Sequence, residues 1–288
     1  MNLHRMRIPF SRRRASLILA ISLALVAAAV ASHLDQSAPT PRANELLRQA
    51  VAKEQFDGKD GYYSWMDRVQ KPRGTATKLM VSTPQGILSR TVALNDKPLS
   101  ADERKLDDDR INRLLDSGNM RDKARKQRED QQHIERLLVA LPDAFQCEYA
   151  AAARDERSLH LDCSPNPNFS APNYESQVLQ GMKAVIIIDR EDNRISRIEG
   201  TLFKDVNFGW GFLGRLDHGG HIEITQSKVA GKHWGMVRMQ LNFDGRIIVI
   251  KPLHIEETET SWDYHPAPSM TVAQALEYLR NTPVKPAH

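Results

Sequence analysis

The chain has 288 residues, 41% hydrophobic and 26% charged, with a formal net charge of +4. That charge is not spread evenly: the first 31 residues hold five arginines (Arg5, Arg7, Arg12, Arg13, Arg14) and no lysine or acid, so the rest carries 35 basic residues against 36 acidic ones. A near-neutral body argues against nucleic acid as a partner.

The arginines precede an uncharged run, Ala15 to Ala31, that closes on Ala29-Val30-Ala31. A basic start, a short apolar segment and an A-x-A end predict a secretory signal peptide, residues 1–31, cleaved near Ala31. The same 17 residues could also stay as an anchor, crossing a bilayer with strain. Ser11-Arg12-Arg13 faintly resembles a twin-arginine signal, but general secretion is expected, and no Cys follows to accept a lipid. The expected compartment is the periplasm.

Residues 32–41, with Pro39 and Pro41, read as a flexible linker, and residues 42–288 as a single domain. A helix is predicted over about Arg42–Phe56, where Ala43, Leu46, Leu47, Ala50 and Val51 share a face. Strands follow: Tyr62–Gln70, then Lys78–Ser82 and Ile87–Leu94 about a turn at Pro84-Gln85-Gly86.

A charged helical arm, residues 100–141, is inserted next. Ser100 and Glu103 have capping-box spacing, and between Ala101 and Leu138 there are ten acidic and ten basic residues. Two helices hinged near Ser117-Gly118-Asn119 are expected, either as a solvated arm or as a movable lid.

From Phe145 the chain is mostly strand: Phe145–Ala151, Ser158–Cys163, Ala184–Asp189, Arg194–Val206, His221–Val229, Lys232–Phe243 and Arg246 to about Tyr264. A short helix, about Tyr174–Met182, interrupts them. Asp244-Gly245 reads as a hairpin turn, and short connections demand antiparallel neighbours. Thr271 caps a final helix with Val272, Ala275, Leu276 and Leu279 on one face.

The two cysteines fall opposite one another if Phe145–Ala151 pairs with Ser158–Cys163 about a turn near Asp155, with Tyr149 opposite Leu161. A Cys147–Cys163 disulfide is expected in an oxidising compartment, the alternative being two buried thiols. It would close a loop of roughly 15 residues, worth about 3 kcal/mol.

No catalytic constellation emerges. His218, His221 and His233 are too separated by glycine and strand to predict a metal site. Asp107-Asp108-Asp109 does not match a calcium loop. Glu256, Glu257 and Glu259 read as a solvated strand face, not as a catalytic pair. No metal, cofactor or enzyme activity is assigned. The segment Phe208 to Leu216, large apolar residues alternating with glycine, is read as a plug of the sheet or the wall of an apolar cavity.

These residues carry a resemblance. Phe145-x-Cys147, Cys163-Ser164-Pro165-x-Pro167, Ala184 to Asp189, Asp205-Val206-x-Phe208-Gly209-Trp210-Gly211 and Gly220-x-Ile222-x-Ile224 resemble exported bacterial proteins with the outer-membrane lipoprotein-sorting (LolA/LolB-like) fold. The resemblance implies an α+β fold: a curved antiparallel sheet forming an unclosed half β-barrel, helices covering its concave face. It also implies a non-enzymatic carrier that binds an acyl lipid or lipoprotein in an apolar groove. The expected groove residues are Trp65, Ile186, Ile188, Phe203, Trp210, Phe212, Leu213 and Leu216. In that group an arginine of an early strand holds the lid against the barrel interior; this chain departs there, with no matching residue identified beyond guesses at Arg68 and Arg90. A second reading is an envelope sensor that binds a membrane or lipoprotein partner through the arm. A third, a hydrolase with a diffuse site, has no supporting constellation. A monomer is expected.

Overall fold

In the computed structural model the described residues are 42–57, 61–151, 156–209, 214–247 and 251–284. The expected signal peptide and linker, and Trp210, Phe212 and Leu213, lie outside them. The protein is α+β: among the described residues there are thirteen antiparallel strands in one sheet not closed into a barrel, and five α-helices.

Helix α1 (Ala43–Asp57) leads into a meander of β1 (Tyr62–Lys71), β2 (Gly74–Thr83), β3 (Gly86–Leu94) and the two-residue β4 (Lys97–Pro98). Asn95 and Asp96 both take positive φ, the geometry that a two-residue hairpin loop requires. Helices α2 (Ala101–Arg113) and α3 (Ser117–Ala144) follow, then β5 (Phe145–Tyr149), β6 (Ser158–Pro165), the four-residue α4 (Tyr174–Gln177) with a 3₁₀ turn at Val178–Gly181, β7 (Met182–Asp189) and β8 (Arg194–Leu202). Short β9 (Val206–Phe208) and β10 (Gly214–Leu216) pair with each other beside β12. The chain ends with β11 (His221–Ala230), β12 (His233–Ile247), β13 (Lys251–Ala267) and α5 (Val272–Asn281). The main strand order is β4-β3-β2-β1-β13-β12-β11-β8-β7-β6-β5.

The predicted capping box forms: Ser100 Oγ accepts from the Glu103 amide and the Glu103 carboxylate accepts from the Ser100 amide. The predicted register also forms, with Cys147 opposite Cys163 and Tyr149 opposite Leu161, and the disulfide is closed. The Asp244-Gly245 turn does not form. Strand β12 runs through it, Asp244 opposite His254 and Gly245 opposite Leu253, and pairing continues to Ile247 opposite Lys251. Gly245 has another reason to be glycine: a Cβ there would stand 2.1 Å from the Arg215 carbonyl oxygen of β10.

Residues directly opposite in an antiparallel ladder share a face. Following the register from Cys147 through Cys163, Ala184, Ile186 and Ile198 to Ile224, Met239 and Glu259 traces one face of the sheet. At its β5–β8 end this face carries the larger core, in which Leu47 and Ala50 of α1 and the end of α3 cover fully buried Leu161, Ile186 and Ile188. The other face carries the second core. There Met66 lies opposite Leu79 and Val81 opposite Leu88, under Ala275, Leu276 and Leu279 of α5. The two cores therefore sit at opposite ends and on opposite faces.

Both sheet edges are closed by side chains. At β5, Asn44 of α1 donates to the Phe145 carbonyl at 2.6 Å and accepts from the Cys147 amide at 2.8 Å. At β3, Gln127 of α3 accepts from the Ile87 amide at 3.1 Å and donates to its carbonyl at 3.0 Å. Arg110 of α2 donates to the Ser89 carbonyl at 2.8 Å, and Asp107 accepts from the Thr91 amide at 3.0 Å. The charged arm thus supplies the hydrogen bonds that a further strand would otherwise make. Of the Asp107-Asp108-Asp109 run, that edge explains Asp107.

Candidate functional site

Between the two cores, on the α1 face, lies a strip of β1, β2, β12, β13 and β11 that belongs to neither. Trp65, Met80, Ile224 and Met239 are each half-buried, and neither core includes them. Ladder pairs hold them side by side: Trp65 opposite Met80, Ile224 opposite Met239, Met239 opposite Glu259. Leu241, one step along, packs against the edge of the larger core.

One end of the strip is aromatic. The Tyr63 and His233 rings stack at 3.8 Å, and Trp65 and Tyr264 lie parallel at 5.7 Å. A bulge between β1 and β13 creates this arrangement. Asp263 takes a positive φ, which a short polar residue tolerates, and two residues of β13 then oppose Trp65 alone. Tyr264 donates to the Met236 carbonyl at 2.7 Å; burial pushes its hydroxyl up to about 12.

The centre of the strip is ionisable. Asp67 is only 4% exposed and accepts from Ser261 Oγ at 3.0 Å. Glu259 stands beside it and shares a hydrogen bond with it. Burial first, then the Asp67 charge, pushes Glu259 up to about 8, and burial also raises Asp67. The two carboxyls therefore keep one proton between them at neutral pH. Glu257, next on the same face, pairs with Lys71 at 2.8 Å. Lys78 lies opposite Asp67. Near Lys78, α3 contributes Lys123, which is held below its usual value by burial and then by the Arg110 and Lys78 charges.

Such a surface can hold an apolar chain of variable shape, because methionine side chains adapt their shape and an indole offers a broad flat apolar face. The carboxyl pair can share a proton, but its hydroxyl neighbour, Ser261, is 3% exposed and donates into Asp67, which leaves it poorly placed as a nucleophile.

The structure disperses the expected groove residues. Ile186 and Ile188 are 0% exposed and form the floor of the larger core under α1, so they line no open space. The groove predicted there is filled by the protein's own helices. Leu216 packs against the same core. Phe203 is 48% exposed, with the Lys183 and Lys204 ammoniums over its ring. Trp65 alone of the described set lies in the strip. The lid arginine candidates are also elsewhere: Arg68 pairs with Asp96 at 2.9 Å, and Arg90 binds the carbonyls of Arg280 and Thr282.

Other sequence candidates are accounted for separately. His218 pairs with Asp205, His221 contacts Thr201 and His233 stacks on Tyr63, so the three histidines do not converge. Glu257 and Glu259 are not a solvated face; they point inward. A sequence signal for this existed, since they continue the parity of Leu253 and Ile255. Alternation outweighs charge in that strand. Among the described residues no group of histidines, cysteines and acids could hold a metal, and no helix is long and apolar enough to cross a membrane.

No protein-family model matches the chain, and no curated protein matches it in sequence.

Proposed function

We propose that this is a periplasmic, non-enzymatic binding protein that holds the acyl chain of a lipid or lipoprotein on the strip of Trp65, Met80, Ile224, Met239 and Leu241. One observation carries the reading. These large apolar side chains lie half-buried on the α1 face between two packed cores and are members of neither. Each methylene that leaves water for such a surface is worth about 0.8 kcal/mol, so a chain of ordinary length suffices for tight binding. The LolA/LolB-like resemblance points the same way, with a difference: the pocket has moved from the β7–β8 region to the centre of the sheet. Access would come by displacement of α3, which is clasped to α4 through Arg136 and His133 on Glu175. Arg136 and His133 hold that carboxylate down at about 2.

The test is mass spectrometry of lipid extracted from protein purified without detergent, for the parent and for Met239→Glu. A stoichiometric acyl ligand in the parent, lost in a folded variant, is the expected result. Ligand-free parent protein that takes up no added lipid would sink the proposal. A second reading, an envelope sensor, is favoured by exposed Leu106, Leu115 and Ile134 on the outer side of the arm, each more than half exposed. Leu106→Glu and Ile134→Glu would abolish partner capture while leaving lipid binding intact. Deleting the whole arm is not a clean test, because it would uncover the β3 edge.

A further inference from the structure

On the opposite face from the strip, a cavity of about 900 Å³ opens between β2–β3, α2 and the end of α5. It lies within the size range of small-molecule sites. Met66, Val92 and Leu99 supply an apolar wall. Three arginines line it, Arg90, Arg104 and Arg280, and none of them makes an ion pair among the described residues. Arg90 spends two nitrogens on the backbone carbonyls of Arg280 and Thr282, at 3.0 and 3.2 Å. Its Nε is buried with no acceptor. Arg280 donates to the Asn112 side-chain carbonyl, which leaves the Asn112 amide group free to donate.

The acids of the cavity offset this charge only in part, Asp107 and Asp108 both acting on Arg90. Asp96 is held by Arg68 through two 2.9 Å bonds. Asp107 is held by Arg110 and by Thr91. Only Asp108 is uncommitted, so three cations face one free carboxylate. Three cations against one free carboxylate leave two positive charges, which a phosphate monoester dianion balances and a single carboxylate does not, and the apolar wall suits an organic body attached to it.

We propose that this cavity binds an organic phosphate monoester, with Arg104, Arg280 and Arg90 around the phosphate and the Met66–Val92–Leu99 wall against the organic part. The site is independent of the acyl strip, which lies on the other face of β1 and β2. The phosphate could be that of a small soluble ester or of a lipid headgroup, and two probes separate these sources.

The experiment is calorimetric titration of the purified protein with glycerol 3-phosphate, and co-sedimentation with phosphatidylcholine vesicles with and without phosphatidic acid. Saturable binding of glycerol 3-phosphate assigns a soluble ester; binding only to phosphatidic acid vesicles assigns a headgroup. Arg104 and Arg280 are exposed and can be changed without opening a core. Arg104→Gln and Arg280→Gln are each expected to weaken binding about tenfold, and Asp108→Asn to strengthen it several-fold. Two results overturn the proposal: no saturable binding to either probe, or binding that Arg104→Gln and Arg280→Gln leave unchanged. Because Met239→Glu touches only the acyl strip, phosphate binding that survives it would stand even if the carrier reading failed.

Discussion

The two ends of the sheet solve the same problem in opposite ways. At the β5–β8 end the apolar face is the one under α1 and α3, and it is sealed: Ile186, Ile188 and Leu161 are fully buried and a disulfide ties β5 to β6. At the β1–β3 end the apolar face is the other one, under α5. Between them the cover changes sides, so β11, β12 and β13 are half-exposed on both faces over much of their length. A sheet covered on one face throughout would have no such middle. The half-open strip follows from where the cover changes sides, and it is there that the proposed acyl chain would lie.

The comparison is broken most severely at the sealed end. Arg194 and Glu54 form a bidentate pair with side chains only 7% and 8% exposed, and Glu54 also accepts from the Ile195 amide at 3.0 Å. Arg194→Ala leaves that carboxylate buried without its cation and is expected to cost about 3–5 kcal/mol. Urea denaturation checks it; a loss under 1 kcal/mol would mean that α1 is not anchored as described.

The opposite end is probed by Leu276→Ala in α5, where Leu276 is 1% exposed. A loss of about 2–4 kcal/mol is expected. The location of the damage matters more than its size. Because the second core is on a separate face, hydrogen exchange should quicken in β1–β3 and α5 while β5–β8 stay protected. Uniform loss of protection would show instead that the two cores unfold as one unit.

Much of this was legible in the sequence, and the failures have physical causes. Alternation marks the strands, and the opposition of Cys147 and Cys163 marks the register of β5 and β6. Asp244-Gly245 misled because glycine serves two purposes: a turn, or the close approach of a third strand, here β10. The acids of β13 misled because charge was taken to mean solvent, although their parity with Ile255 put them inside. Ten charges of each sign on the arm suggested a solvated surface, yet Asp107 and Arg110 act on the backbone of β3. No local pattern shows that, since the partner strand is an edge only in the folded sheet. The site residues were the least legible. The resemblance puts a groove on the concave face, with Ile186 and Ile188 in its wall, but those residues lie where the fold fills the space with its own helices.

The middle of the sheet carries a pH signature. Glu259 sits near 8 in the folded protein, above its ordinary value of 4.5. A raised folded value means that the native state holds its proton more tightly than the unfolded chain. Below about pH 4 both states are protonated and there is no penalty. As the pH rises from there through 8 the folded protein loses stability, and the loss is complete above it. Glu259→Gln removes the titration while keeping a group that can donate to Asp67. The variant is expected to match the parent at pH 4 and to exceed it by about 1–3 kcal/mol at pH 9. Equal stability of the two proteins at both pH values would remove the proton-sharing pair from the strip, and with it the contrast between a polar middle and apolar ends.

The smallest effects concern what the ends have in common. Asn44 and Gln127 each place a side-chain amide against the open edge of a terminal strand, one at Phe145 and Cys147, the other at Ile87. Asn44 also donates to the Pro142 carbonyl at 2.9 Å, so it holds the end of α3 as well as β5. Asn44→Ala should therefore cost more, about 2 kcal/mol, and Gln127→Ala about 1 kcal/mol, since Arg110 and Asp107 still guard the rest of β3. Stability alone would not separate an edge cap from any other buried hydrogen bond. An uncovered edge is also a template for another strand. Sedimentation velocity at rising concentration should thus show self-association for Gln127→Ala, strongest when combined with Arg110→Ala, and none for the parent. If the double variant stays monomeric at concentrations where it remains folded, the helical arm is packing against β3 without protecting it. The likeness between the two edges would then be one of geometry alone.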